Sequence, residues 1–184
     1  MALTLSAGIV LATALAAGAH SFNLVMIAPD DAEIRQVMRQ AFLIASAERD
    51  SHAAQESDGH LGGLDVYLGF AGIGDGEAAA ALAPDILAAP LAGTDAAAVT
   101  ALAASLDVVS LAPADPNSAM SRDMLAQPLD PGLPAFAQAF EAETGQAPGA
   151  EAVAVYLAAR RVDQAVRQLG GVGDAAGLRA LLSR

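Results

Sequence analysis

Apolar positions along this chain fall into short continuous runs that alternate with helical stripes. Residues 22–28 (FNLVMIA) form a short apolar run closed by Pro29, the pattern of a buried strand. Asp30 or Asp31 then stands where a helix cap belongs. From near Ala32, residues Ile34, Val37, Met38, Ala41, Phe42, Ile44 and Ala45 follow helical spacing. Polar residues 46–60 end that helix, with Gly59 and the Gly62-Gly63 pair as breakers. A second strand is expected over 64–70 (LDVYLGF), a glycine turn over 72–76 and a short alanine-rich helix over 77–83. A third strand over 85–89, a helix over 95–105 and a fourth strand over 107–112 complete the alternation.

Strand–helix–strand repeats with short connections require parallel strands joined by crossovers. The expected fold is therefore α/β, a doubly wound parallel sheet of about four to five strands with flanking helices, in one domain over residues 20–184. Sites in such sheets lie beyond the carboxyl ends of the strands. That rule points to the loops at 29–31, 69–76, 90–94 and 113–117. Residues 113–134 hold five prolines and read as an extended connection. A helix over 134–144 places Phe136 and Phe140 one turn apart and stops at Gly145. Another over 150–169 carries Val155, Ala159, Val162, Val166 and Leu169 on one stripe and ends at Gly170-Gly171. Asp174 caps a last helix containing Leu178, Leu181 and Leu182.

Composition narrows the chemistry. Alanine fills 47 of the 184 positions, so Leu, Val, Ile and a few Phe must carry the core. All nine basic residues are arginine, against 21 acids, for a formal charge of −12. Phosphate neutralisation needs clustered Lys or Arg, so nucleic acid is not an expected partner. Without lysine there is no Schiff base, P-loop or kinase-type phosphate clamp. Without cysteine there is no disulfide, Fe–S cluster or thiol nucleophile. No cofactor is expected.

Residues 3–19 carry no charge and end in Ala17-Gly18-Ala19, a small-x-small tripeptide before His20. They read as a secretory signal peptide, or as an anchor if uncleaved, although no Lys or Arg precedes them. Either reading exports the chain to the periplasm, with the membrane reached only through residues 3–19.

The stretch FAQAFEAETGQAPGAEAVAVYLAARRVDQAVRQLGG, with its Thr144-Gly145-Gln146-Ala147-Pro148 turn and Tyr156-Leu157-Ala158, resembles a segment of the type I periplasmic binding proteins of the Leu/Ile/Val-binding kind. PDILAAPLAGTDAAAVTALAASLDVVSLAPADP is similar to that family's strand, hydroxyl-rich loop, helix and strand, and residues 22–45 to its opening strand and helix. The resemblance implies a first lobe running to about Asn117, then helices that return to the same lobe, with the second lobe missing. A one-walled cleft cannot bury most of a small ligand, so tight binding is not expected. The family's ligand hydroxyls correspond to Ala92-Gly93 and Ala114 here, which leaves Thr94 and Ser110. Thr94, Ser110, Asp30 and Asp75 are thus the ligand-binding candidates.

Other constellations have plainer accounts. His52, Glu56 and His60 have the i, i+4, i+8 spacing of a zinc face, but Ser57, Asp58 and Gly59 are poor helix formers, and a solvated loop is the better reading. Asp30-Asp31 resembles the acid pair of response-regulator receivers, yet Ala88-Ala89-Pro90 stands at the phosphoacceptor position and the late lysine is missing. The glycines of residues 69–76 fit no dinucleotide loop in spacing or place. Arg160, Arg161 and Arg167 are expected to face solvent or pair with acids, an anionic partner site being the alternative. Ser110, His20, His52 and His60 form no nucleophile–base arrangement. The expectation is an exported non-enzymatic accessory module with a degenerate ligand site, contacting a periplasmic or membrane protein. The alternative is a solute-binding component of an ABC-type amino-acid transport system, completing its cleft by homodimerisation or a partner.

Overall fold

The computed structural model describes residues 20–47, 57–112 and 132–183. Strand β1 (Ser21–Ile27) lies at the middle of the sheet because both its faces are apolar. Phe22, Leu24 and Met26 enter one core while Val25 and Ile27 enter another across the sheet. Asp31 opens α1 (Ala32–Ala47): its carboxylate accepts hydrogen bonds from the amides of Glu33 and Ile34 at 2.9 and 3.0 Å. The chain continues through β2 (His60–Leu61), β3 (Leu64–Ala71), α2 (Gly76–Ala81), β4 (Ile86–Ala88), α3 (Ala96–Leu106) and β5 (Val109–Leu111). Helices α4 (Leu133–Thr144), α5 (Ala150–Leu169) and α6 (Ala175–Leu182) close it.

The five strands are ordered β2-β3-β1-β4-β5. β1 pairs in parallel with β3 and β4, and β4 in parallel with β5. The fold is α/β, with helices on both faces of a five-stranded, mostly parallel sheet. α1, α4, α5 and α6 cover one face through Met38, Phe42, Phe136, Val155, Val162 and Leu178. α2 and α3 cover the other through Ala79, Val99 and Ala103. Each layer buries an apolar stripe that would otherwise meet water, at about 25 cal/mol per Å² of apolar surface.

The sheet departs from the all-parallel expectation at β2, which runs antiparallel to β3. Gly62 and Gly63 do not merely break a helix. They are the two-residue turn of a hairpin, with φ of 66° and 85°, the positive pair that a type I′ turn requires. The strands expected over 85–89 and 107–112 are shorter, for local reasons. Asp85 turns its carboxylate back to accept the Asn23 amide at 2.8 Å, and Asp107 adopts a left-handed conformation that ends α3. α5 and α6 fall where the stripes and the Asp174 cap place them, the Asp174 carboxylate accepting from Gly177 N–H at 2.9 Å.

Long-range polar ties hold the hairpin to the helical layer. The buried Asp163 carboxylate on α5 accepts from the Gly62 amide at 2.7 Å and from the Arg167 guanidinium at 2.8 Å. On the outer side of β3, Asp58 accepts from Leu68 N–H at 2.8 Å and from Arg39 at 3.2 Å, with Arg39 lying over the Phe70 ring. Asp163→Ala should cost about 2 kcal/mol, because it strips an acceptor from a half-buried amide and a guanidinium that water only partly reaches. Asp163→Asn keeps an acceptor for Gly62 and should cost about half as much. Urea denaturation of the two variants beside the parent measures both; equal losses would show that the charge, and not the Gly62 bond, carries the tie.

Candidate functional site: a cleft at the strand ends

From β1 the chain moves outward to β3 and then crosses back past β1 to β4. The connections therefore diverge between the carboxyl ends of β1 and β4, the switch point where open α/β sheets leave a crevice. A cleft of about 980 Å³ opens there. Its floor is formed by Ile27 and Ala28 at the end of β1 and by Leu111 and Ala112 at the end of β5. The rim comes from Pro29-Asp30, Gly72-Ile73-Gly74 and the 90–95 loop. One whole wall is α5, through Ala150, Glu151, Ala154, Leu157, Ala158 and Arg161.

Two of the four candidate residues line this cleft and two do not. Thr94 lines it, its amide donating to Leu91 O at 3.3 Å in the turn that leads to Asp95. Asp30 lines the rim, with its side chain 99% exposed and paired at 3.4 Å with Arg35. Arg35 is itself steadied by donating through Nε to Pro29 O at 2.9 Å. Ser110 instead sits on β5 in register with Leu87, a member of the core under α2 and α3. The Asp75 carboxylate caps α2, accepting from the Ala78 amide at 3.0 Å. Ser110 lies within β5, short of the Leu111-Ala112 end that reaches the cleft, and helix capping used up Asp75. Asp95, another rim carboxylate, is occupied in the same way by the amides of Ala97 and Ala98.

Arg161 is the cleft residue that the sequence reading left out of the candidate set. It stands half-buried in the cleft wall. One of its terminal nitrogens donates to Leu182 O on α6 at 2.8 Å. Loss of water around the guanidinium lowers its pKa from the ordinary arginine value. The signal was present as spacing, since Ala150, Ala154, Ala158 and Arg161 recur at helical intervals beside the core stripe. Only the docking of α5 on α1 and α6 shows that this second stripe faces the strand ends. Arg167, by contrast, pairs with Asp163 as an acid partner would suggest.

No protein-family model, no curated protein and no solved structure matches this chain. The chemistry must then be read from the side chains themselves. His60 places Nε2 2.9 Å from Asp65 Oδ1, while His52 and Glu56 lie outside the described residues. Among the described residues no three His, Cys, Asp or Glu side chains gather as metal ligands. The glycine-rich loop contributes Gly72, Ile73 and Gly74 to the rim, with Ile73 39% exposed. No helix among the described residues is long and apolar enough to cross a membrane. Residues 3–19, the connection at 113–131 and Ala114 within it lie outside the described residues. What the cleft offers is a mostly apolar trough with one guanidinium in its wall and carboxylates at its rim, an arrangement suited to binding.

Proposed function

We propose that this chain is an exported, non-enzymatic binding module that works through the carboxyl-end face of its sheet. It would act as an accessory protein contacting a periplasmic or membrane partner, much as the first lobe of a type I periplasmic binding protein presents its strand-end loops. The cleft at the switch point carries this reading. It lies where α/β sheets bind and is lined chiefly by apolar and small side chains. The polar groups of its rim are largely committed to structure, Asp95 to capping α3 and Asp30 to Arg35.

A second reading, a solute-binding component that completes its cleft with a second copy or a partner lobe, is favoured by the volume. About 980 Å³ is at the upper end of the range for small-molecule sites. Ile73→Asp tests the docking reading, since Ile73 is exposed at the rim and its replacement disturbs no core. Capture of a partner from a periplasmic and membrane extract should fall more than about tenfold with this variant, as expected when an unpaired charge enters an apolar contact. Equal capture by the parent and Ile73→Asp would overturn it.

A further inference from the structure

We propose that the amino-terminal half of the sheet, on the side of α2 and α3, is a second docking face, shaped for a basic amphipathic helix of a partner protein. It lies toward the other end of the strands from the cleft and is independent of the reading of that cleft. The helical layers on the two sides of the sheet differ in length. α5 has 20 residues and runs about 30 Å, whereas α2 has six residues and runs about 9 Å. β3, with eight residues, is about 26 Å long, so α2 roofs only part of it. Val25, Ile27 and Ala71, toward the carboxyl ends of their strands, are buried with α2 and α3. Tyr67, on the same face of β3 as Ala71, is left 41% exposed. Leu82, just after α2, is 37% exposed and lies against Gly69, where an added Cβ would come 2.9 Å from Leu82 Cδ1. Gly69 is two residues from Tyr67 on that face, so the two exposed apolar side chains are neighbours. Asn23 stands beside Tyr67 in register on β1, its side-chain amide donating to Ala83 O at 3.0 Å.

Charge selects the partner. Residues 57–112 hold seven acids and no lysine or arginine. The arginines among the described residues lie on α1, α5 and α6, which pack on the opposite face of the sheet. Those that meet an acid of this stretch do so at its margins, Arg39 with Asp58 and Arg179 with Asp107. Beside the Tyr67–Leu82 patch the carboxylates are held in place. Asp85 accepts the Asn23 backbone amide at 2.8 Å, and Asp65, two residues from Tyr67, lies 2.9 Å from His60 and accepts from the Ser57 hydroxyl at 3.2 Å. An apolar centre with a fixed acidic rim is the complement of an apolar stripe flanked by lysine or arginine. A second copy of this chain, with a formal charge of −12 and the same patch, would be repelled, and so would an anionic membrane. A helix fits better than a strand. The face of a sheet offers side chains but no backbone groups to pair, and a helix laid there continues the layer that α2 begins.

Calorimetric titration of the full chain with an amphipathic peptide of about 18 residues, leucine on one face and lysine on the other, tests the proposal. The same peptide with glutamate in place of lysine is the comparison. The lysine peptide should bind at least about tenfold more tightly, and should weaken as salt is raised from about 50 mM to about 500 mM. Tyr67→Lys and Leu82→Lys, both at exposed positions, should each weaken it at least about tenfold in protein whose melting temperature shows it folded. Gln138→Lys makes the same change of charge at an exposed position of α4, on the other side of the sheet, and should bind the peptide as the parent does. No binding, or equal binding of the two peptides, would overturn the proposal. So would a loss in Gln138→Lys equal to that in Tyr67→Lys, which would spread the contact over the whole acidic surface. Dimerisation of the chain, or its binding to phosphatidylglycerol vesicles, abolished by Tyr67→Lys would give the face to a second copy or to a membrane and overturn the partner class.

Discussion

Gly62→Ala should destabilise the protein by at least about 3 kcal/mol, a large share of the 5–15 kcal/mol by which domains of this kind are stable. Two costs add. The residue sits at φ 66°, where a Cβ costs about 1 kcal/mol or more. That Cβ would also lie 2.4 Å from Val166 Cγ1, 2.6 Å from Val166 Cβ and 2.9 Å from the Arg167 backbone nitrogen. Val166 is fully buried on α5 and cannot swing aside, so hairpin and helix must separate. Gly63→Ala is the internal control. It has φ 85° but nothing within 4 Å of the added carbon, so it should pay only the backbone cost of about 1 kcal/mol. Urea midpoints of the two variants separate the terms. Equal losses would mean that the close approach of the β2–β3 turn to α5 contributes nothing.

Phe136→Ala should cost about 3–5 kcal/mol, the range for emptying an aromatic site in a packed core. Phe136 is fully buried, stacked on Tyr156 with ring centroids 4.3 Å apart at 23°, and tilted against Phe140 at 5.7 Å. Phe136 and Phe140 are the buried residues of α4, so the loss removes one of the two side chains that anchor this helix. Hydrogen exchange should show α4 amides losing protection before those of β1, whose bonds run to both neighbouring strands. Phe136→Leu, which keeps most of the volume, should cost about 1.5 kcal/mol. If α4 and β1 lose protection together in Phe136→Ala, α4 is not a separable layer and the whole fold opens as one unit.

The legible parts of this chain were those whose signals are local. Asp31, Asp95 and Asp174 each accept amide hydrogen bonds at the start of a helix; Asp31 and Asp174 were readable as an Asp before an apolar stripe, while Asp95 was read as the first residue of its helix. β1 was readable because a central parallel strand is apolar along nearly its whole length, here at every position but Ser21 and Asn23. The β2–β3 hairpin was less so, since β2 has only two residues and too little alternation to stand out. Its signal was the Gly-Gly pair between Leu61 and Leu64. In the cleft, Asp30 and Thr94 fall in loops that the strand-end rule points to, while Thr94 itself was singled out by the family resemblance. Ser110 does not line it, because only the end of β5, Leu111 and the following Ala112, reaches the cleft.

What the sequence by itself determined was the alternation of strands and helices, the caps that begin the helices and the absence of lysine and cysteine chemistry. These depend on neighbours within a few residues, where steric and hydrogen-bonding preferences act directly. Only the tertiary structure decided the order β2-β3-β1-β4-β5, the tie from Gly62 to Asp163 across 101 residues and the turning of Arg161 toward the strand ends. A helix with two usable stripes is locally satisfied whichever one it buries. The choice is made by how much apolar surface the rest of the sheet and its helices have left to cover.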